Sequence, residues 1–398
     1  MASGRATGVE GKSREFFKNA RRSGLWPDAK AVHRSSVTKA RHKISWTLFT
    51  ELLSKAVKIA YDVFPHSDRY LWRGMSVFAI DGSFYTLPAT NEIREKFDPD
   101  SGLGTNGKGH YPQCLVSTLY DVFRRLPVAR TVVPISEANE RQEAKKLLPF
   151  VPENSVWLFD RGYPGYDLIN YLIHHYSGYF VFRCPASNTF SAVQSFVKSG
   201  KKQDTVWIEP SGNFLRKKAT KKNRALYKGF KLRMIKLIAP DGTISVLLTN
   251  LYNKKSFLRK DIVDLYFKRW EVEVHYRDEK ITLEIETFHS KTVNGILQEL
   301  YAVMIMSVIS RTLMMITSEE LYAGKIEFQF KNSIMAVASD AAVFVAKDPE
   351  KTLTVFHEIL IEISRVKYYR PKKPRPHQPR ITKKSMKKWS KNNHKRRA

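Results

Sequence analysis

The chain has 398 residues, 42% of them hydrophobic, which is apolar material for two or three domains with a sizeable core and predicts a folded protein. Lys and Arg number 68 against 38 Asp and Glu, a formal charge of +30 that goes far beyond what solubility needs; a polyanionic partner is implied, nucleic acid first and an anionic membrane surface second. The start, MASGRATGVE, has no apolar core for a signal peptide, so export is not expected, and Cys114 and Cys184 lack the spacing of a zinc site or disulfide framework and read as small core residues in a reducing setting.

Residues 1–70 are basic and helical in pattern. Gly24, Trp26 and Pro27 separate residues 13–22 from a second run that opens on Ser35 and Ser36, both good N-caps. That run predicts Val37, Ile44, Leu48, Leu52, Val57 and Ile59 inward and gathers Lys39, Arg41, His42 and Lys43 at one end. Two short helices with a basic face suggest a DNA-reading module; a merely solvated face is the plainer alternative.

From Met75 the pattern turns to strands. MSVFAIDGSFYTLP reads as a buried run stopping at Asp81 and Gly82, and CLVSTLYDV and VARTVVPI follow. The SGLGTNGKGH between the first two lacks the Lys-Ser/Thr ending of a P-loop and does not lie between strand and helix, which excludes that kind of nucleotide site. Residues 137–148 alternate like a helix. VWLFDRGYPGYDLINYLIHHY predicts a buried strand ending at Asp160, a turn and a helix, and YFVFRCP predicts one more strand. This order describes an α/β core with Asp81 and Asp160 at strand ends, where an Asp serves as a turn residue or as a catalyst. Residues 187–250 read as a β-rich insertion, turning at Pro240, Asp241 and Gly242, with the basic RKKATKKNR as a solvated tip or part of a DNA-facing surface.

The stretch YFKRWEVEVHYRDEK follows. At about 100° per residue, Tyr266, Arg269, Glu273, Lys280 and Glu284 share one stripe of a helix. Val263, Phe267, Val274 and Ile281 flank it on one side, and Leu265, Val272, Tyr276 and Leu283 on the other. Asp264, Lys268, Glu271, His275, Asp278 and Glu279 form the expected solvated side. Charge in the middle of an inward face needs a reason. Either a ladder of pairs supplies it, Arg269 with Glu273, Glu273 with Arg277 and Lys280 with Glu284, or the stripe is a site. Residues 302–316 hold Arg311 and are too short to span a bilayer, so they read as a buried helix. Two more helical stretches, 326–345 and 349–366, lead to a basic arm without acidic residues, expected to be disordered and to bind phosphate. Expected divisions are therefore 1–70, 71–186, 187–250, 251–318, 319–366 and 367–398.

With Asp81, Asp160 and Glu273 in view, the chain resembles the DDE transposases of bacterial insertion sequences, in the branch whose signature is Y-x2-R-x3-E-x6-K. Tyr266, Arg269, Glu273 and Lys280 meet that signature at every position. AIDGS, FDRGY and the block from LLTNLY through RWEVE resemble the family's blocks around its first Asp, second Asp and final Glu, and the likeness covers about residues 75–315. The acidic EVEV after Trp270 and the long basic tail depart from the pattern. The resemblance implies an α/β fold: an RNase H-like mixed sheet with flanking helices, interrupted by a β-rich insertion, plus helical N-terminal and C-terminal regions. It also implies a divalent metal and the cutting and joining of element ends.

On that reading Asp81, Asp160 and Glu273 are the catalytic, metal-binding carboxylates. Asp81 bridges two Mg2+ ions, for which Mn2+ can substitute, and the other two residues hold one ion each. Arg269 and Lys280 hold phosphates, Tyr266 meets the terminal nucleotide, and Arg161 and Arg183 join them as substrate-binding residues. The expected partner is double-stranded DNA, as terminal repeats and as target, held by a homodimer in the cytoplasm at the nucleoid, with no membrane. A nuclease without a joining step and a non-catalytic DNA-binding relative are the alternatives, the latter opposed by the intact carboxylate set.

Overall fold

Runs of Val, Ile, Phe and Leu bounded by Gly and Pro favour the pleated, half-buried surface of a sheet. In the computed structural model, which describes residues 9–99, 110–218, 220, 224–239, 241–322, 326–345 and 348–367, these runs join into one eight-stranded sheet. The strands are β1 (Ser76–Thr86), β2 (Gln113–Asp121), β3 (Leu126–Pro134), β4 (Ser155–Phe159), β5 (Tyr179–Pro185), β6 (Gln203–Ile208), β7 (Phe230–Ile238) and β8 (Ile244–Thr249). Their spatial order is β3-β2-β1-β4-β5-β8-β7-β6. β1, β2 and β3 are antiparallel neighbours, whereas β4 and β5 run parallel to β1. Three antiparallel strands followed by two parallel ones, with β1 central, make the RNase H-like core. The strands from residues 187–250 lengthen this same sheet, since β8 pairs antiparallel to β5 and β7 and β6 continue from it.

Helices α1 (Val9–Arg22), α2 (Arg34–Lys43) and α3 (Thr47–Val63) precede the sheet. Within it come α4 (Asn91–Phe97), α5 (Glu140–Leu147), α6 (Tyr166–His175), α7 (Ser191–Lys198) and α8 (Gly212–Lys218). After it come α9 (Arg259–Phe267), α10 (Trp270–Arg277), α11 (Val293–Tyr322), α12 (Phe330–Ser339) and α13 (Pro349–Ser364). Strand alternation divides the core between the two faces. Val77, Ala79 and Tyr85 of β1 pack with Ile262, Tyr266, Val272 and Tyr276 of α9 and α10, while Phe78 and Ile80 pack with α3, α5 and α6. α11 is long and apolar enough to cross a membrane, yet most of its apolar window is buried inside the protein, where Ser307, Thr312 and Thr317 return their hydroxyls to carbonyls four residues back.

Two readings of the sequence are corrected. Ile44, Leu48, Leu52 and Ile59 do not point inward; they are exposed, whereas Val57 is buried as expected, together with Leu53, Ala60 and Phe64. Ile44 is extended and ends α2, so α3 starts a new helical phase at Thr47, and a register drawn from Val37 does not carry across the break. Arg41 is also committed within the fold. Its guanidinium donates to the Gly295 carbonyl at 3.2 Å and to Glu299 at 3.0 Å, docking α2 on α11 and leaving Lys39, His42 and Lys43 as the exposed cations of that end. The glycine-rich run, Pro240, part of RKKATKKNR and the basic arm after Lys367 lie outside the described residues.

Candidate active site

Strand register brings the two aspartates together. The parallel pairing of β1 with β4 ends at Ala79 and Leu158, and Asp81 and Asp160 each follow two residues later, so they stand level on neighbouring strands. Asp81 is not at a strand end as expected: β1 stays paired with β2 down to Thr86 and Gln113, because the antiparallel partner is longer than the parallel one. Alternation puts Asp81 on the face of Ala79, the face that α10 covers. The Tyr276 hydroxyl of α10 lies 2.7 Å from the Asp81 carbonyl and 2.9 Å from that of Val116, which ties the helix to β1 and β2. Asp160 ends its strand as expected. Its Oδ1 accepts the Gly162 N–H at 2.7 Å, so the turn bond itself orients the carboxylate.

The charged stripe does not lie on one helix. α9 stops at Phe267, Lys268 and Arg269 make tight bonds to carbonyls three residues back, α10 begins at Trp270, and Asp278–Thr282 forms a π turn. The tightened turn advances the phase and the π turn delays it, so a uniform wheel fails at both ends. His275 and Glu279, expected in solvent, are 3% and 0% exposed, whereas Phe267 and Ile281, expected inward, are 61% and 69% exposed. Of the proposed ladder, Arg269 donates to Glu273 at 2.5 Å, and among the described residues no bond joins Glu273 to Arg277. Lys280 donates to the Phe84 carbonyl at 2.5 Å and lies 4.6 Å from the centre of the Tyr85 ring.

Burial is the largest influence on Asp81 and raises its pKa; Arg269 opposes it, Asp160 and Glu273 add to it, and the result is about 7. Asp160 and Glu273 are thus each within electrostatic reach of Asp81. Between the ordinary value of 3.8 and about 7, the folded protein holds a proton that the unfolded chain has released, so the stability Asp81 contributes is present at low pH and lost as pH rises through that window. Melting temperatures of metal-free protein are expected to fall between about pH 4 and pH 7 through this group, and Asp81→Asn to flatten the fall. An Asn variant with the wild-type slope would refute this.

Mg2+ prefers hard oxygen ligands, and the three carboxylates match it in kind, with Arg269 as the nearest compensating charge. Among the described residues no three His, Cys, Asp or Glu side chains form a group that could already hold an ion, and Glu273 is turned onto Arg269. Tyr266 is buried, with Arg269 and Arg183 close enough to oppose the rise that burial causes in its pKa. Arg183 donates to Ser245 Oγ at 3.1 Å, and Arg161 is exposed at the turn after Asp160.

Sequence reasoning missed a buried charge network behind the site. Glu279 on the π turn accepts from Arg130 of β3 at 2.7 Å and from the Tyr85 hydroxyl at 2.5 Å, and His275 Nε2 lies 3.3 Å away. Burial by itself raises the Glu279 pKa, but Arg130, then His275 and Tyr85, outweigh it and hold the carboxyl well below the usual range. The one available signal was Arg130, a charge inside the apolar run VARTVVPI.

An RNase H-like sheet with one aspartate on β1, another level with it just after β4, and a glutamate on the covering helix defines an acidic site. The family follows from comparison: residues 72–309 match the model described as "Transposase DDE domain", and the chain belongs to that family. It is 24% identical over 274 residues to the transposase InsG for insertion sequence element IS4 of Escherichia coli K12, a match that takes in 68% of this chain and 59% of that protein. With the putative transposase InsZ of the same strain it shares 27% identity over 156 residues, 37% of this chain and 50% of that one. The chain thus spans little more than half the length of these relatives. Among solved structures, a piggyBac transposase synaptic complex with hairpin DNA aligns over 90% of this chain and 80% of its own, at 9% identity and a TM-score of 0.41.

Proposed function

We propose that the protein is a DNA transposase that binds the terminal repeats of its element, cuts there and joins the ends to target DNA, with Mg2+ as cofactor. The observation that carries this is Asp81, level with Asp160 at the end of the parallel neighbour strand, with Asp160 and with Glu273 of the covering helix both within its electrostatic reach. Mg2+ at such a site supplies Lewis-acid activation of an oxygen nucleophile and neutralises charge gathering on the phosphorus. Asp81, Asp160 and Glu273 hold it, and Glu273 must swing from Arg269 to do so. Arg269, released, would be free to hold a phosphate oxygen, and Lys280, now on the Phe84 carbonyl, would hold a second. The surplus of 30 positive charges supports a DNA partner, and the names of the relatives support insertion-sequence ends as the substrate. Two ends must be held at once, so the protein acts as a homodimer on DNA, at the nucleoid.

The test is to incubate the full chain with duplexes carrying the flanking element ends, a target duplex and Mg2+, and to map the products. Cuts at the element boundary followed by joined strands are expected. Cuts with no joining would leave a nuclease, and binding with no cuts would leave a non-catalytic relative.

A further inference from the structure

Glycine follows Asp81 directly and follows Asp160 by two residues, and neither Gly82 nor Gly162 has the positive φ that would itself call for glycine. Space is what they provide. A Cβ on Gly82 would lie 2.5 Å from Glu140 Oε1, and one on Gly162 would lie 3.2 Å from Asp160 Oδ1 and 3.5 Å from Glu140 Oε2. The Glu140 carboxylate therefore occupies the gap between the two aspartate-bearing segments, reaching it from the α5 side of the sheet. Its position is built. Asn139 caps α5 by accepting the Gln142 N–H, and Ala144 and Leu147 bury the helix, so Glu140 projects from a fixed first turn.

Burial and then Asp160 raise the Glu140 pKa, and Arg141 offsets them only in part. Glu140 has no ion pair or hydrogen-bonded cation among the described residues, and the adjoining Arg141 gives its guanidinium to the Gly162 carbonyl at 3.1 Å. The next acid of the helix, buried Glu143, is paired with Lys146 at 2.8 Å. A half-buried carboxylate beside Asp160, kept clear by two glycines and left without a partner, repels its neighbour and returns no stability in a purely structural role.

We infer that Glu140 is a fourth carboxylate of the site, an oxygen donor to the metal ion held beside Asp160; this rests on the proposed reading of Asp160 as a ligand. Titrating Mn2+ alone into the full chain by calorimetry, with melting curves in parallel, tests it without reference to DNA cleavage. Glu140→Gln should weaken Mn2+ binding by about 10- to 100-fold. Its metal-free melting temperature should hold or rise, because a like charge is gone. Glu140→Asp keeps the charge but withdraws it by a methylene, and should lose affinity as well. Wild-type affinity in either variant, with Asp160→Asn abolishing binding, would overturn the role of Glu140 and leave Asp160 standing. Undiminished binding in Asp160→Asn would sink the ligand reading first, and this inference with it.

Discussion

Glu279→Ala is expected to destabilise the protein by roughly 3–5 kcal/mol, the usual cost of removing one partner from a buried ion pair. Both members of the Arg130–Glu279 pair are completely buried, and Arg130 spends another donor on the Leu300 carbonyl at 2.9 Å. Removing the carboxylate leaves the guanidinium facing Tyr85 and His275 with no counter-charge. A fall of several degrees in melting temperature should follow. Because the folded pKa of Glu279 lies below its ordinary 4.5, the pair stabilises fully above that value and its contribution is lost as pH falls below it. The penalty should therefore be complete at neutral pH and shrink in acid. Arg130→Met combined with Glu279→Met should recover much of the loss, since apolar replacement of a whole buried pair is often near neutral. A Glu279→Ala protein that melts like wild type would remove the network from any account of stability.

Glu273→Gln should abolish DNA cleavage while melting within a few degrees of wild type. The Arg269–Glu273 bond it disturbs is an i,i+4 pair, 11% and 31% exposed, and the Gln amide oxygen can still accept from Arg269, so the loss should be small. Against that small loss stands relief of repulsion with Asp81 and Asp160, so metal-free stability should stay level or rise slightly. Duplex binding should persist, because the phosphate-holding cations are untouched, and the rise in melting temperature on adding Mg2+ should vanish. If the variant proves destabilised and still cuts DNA, Glu273 is only a partner for Arg269, and the reading of α10 as the third arm of the site is wrong.

The sheet could be read from the sequence because β1, β2, β4 and β5 are apolar runs broken by glycine, proline or aspartate, a signal held within each segment. Asp81, Asp160 and Glu273 stood out through the motif blocks AIDGS, FDRGY and RWEVE, because an aspartate at a strand end alone serves as readily in a turn. What stayed hidden depends on distant residues. Nothing near Lys268 marks the tightened turn that re-phases α10, and nothing near Glu279 reveals that Arg130, on a strand far away, will draw it into the core. Burial of Arg41 against α11 and the pairing of β8 with β5 are likewise settled by tertiary partners. Glu140 went unnoticed for the same reason: the spaces at Gly82 and Gly162 exist only once α5 has docked.

Arg130 and Glu279 are 149 residues apart, and Asp81 and Asp160 both lie on the early side of Glu279. At a synthesis rate of about 5–20 residues per second, a growing polypeptide carries Arg130 without its counter-charge for roughly 7 to 30 s. Through that interval the half of the sheet bearing the aspartates leaves the ribosome with a cation it cannot bury, so β3 has reason to stay loose until the π turn arrives. Glu273 precedes Glu279 by six residues, and the same late segment thus supplies both the lock on the core and the last of the three proposed site carboxylates.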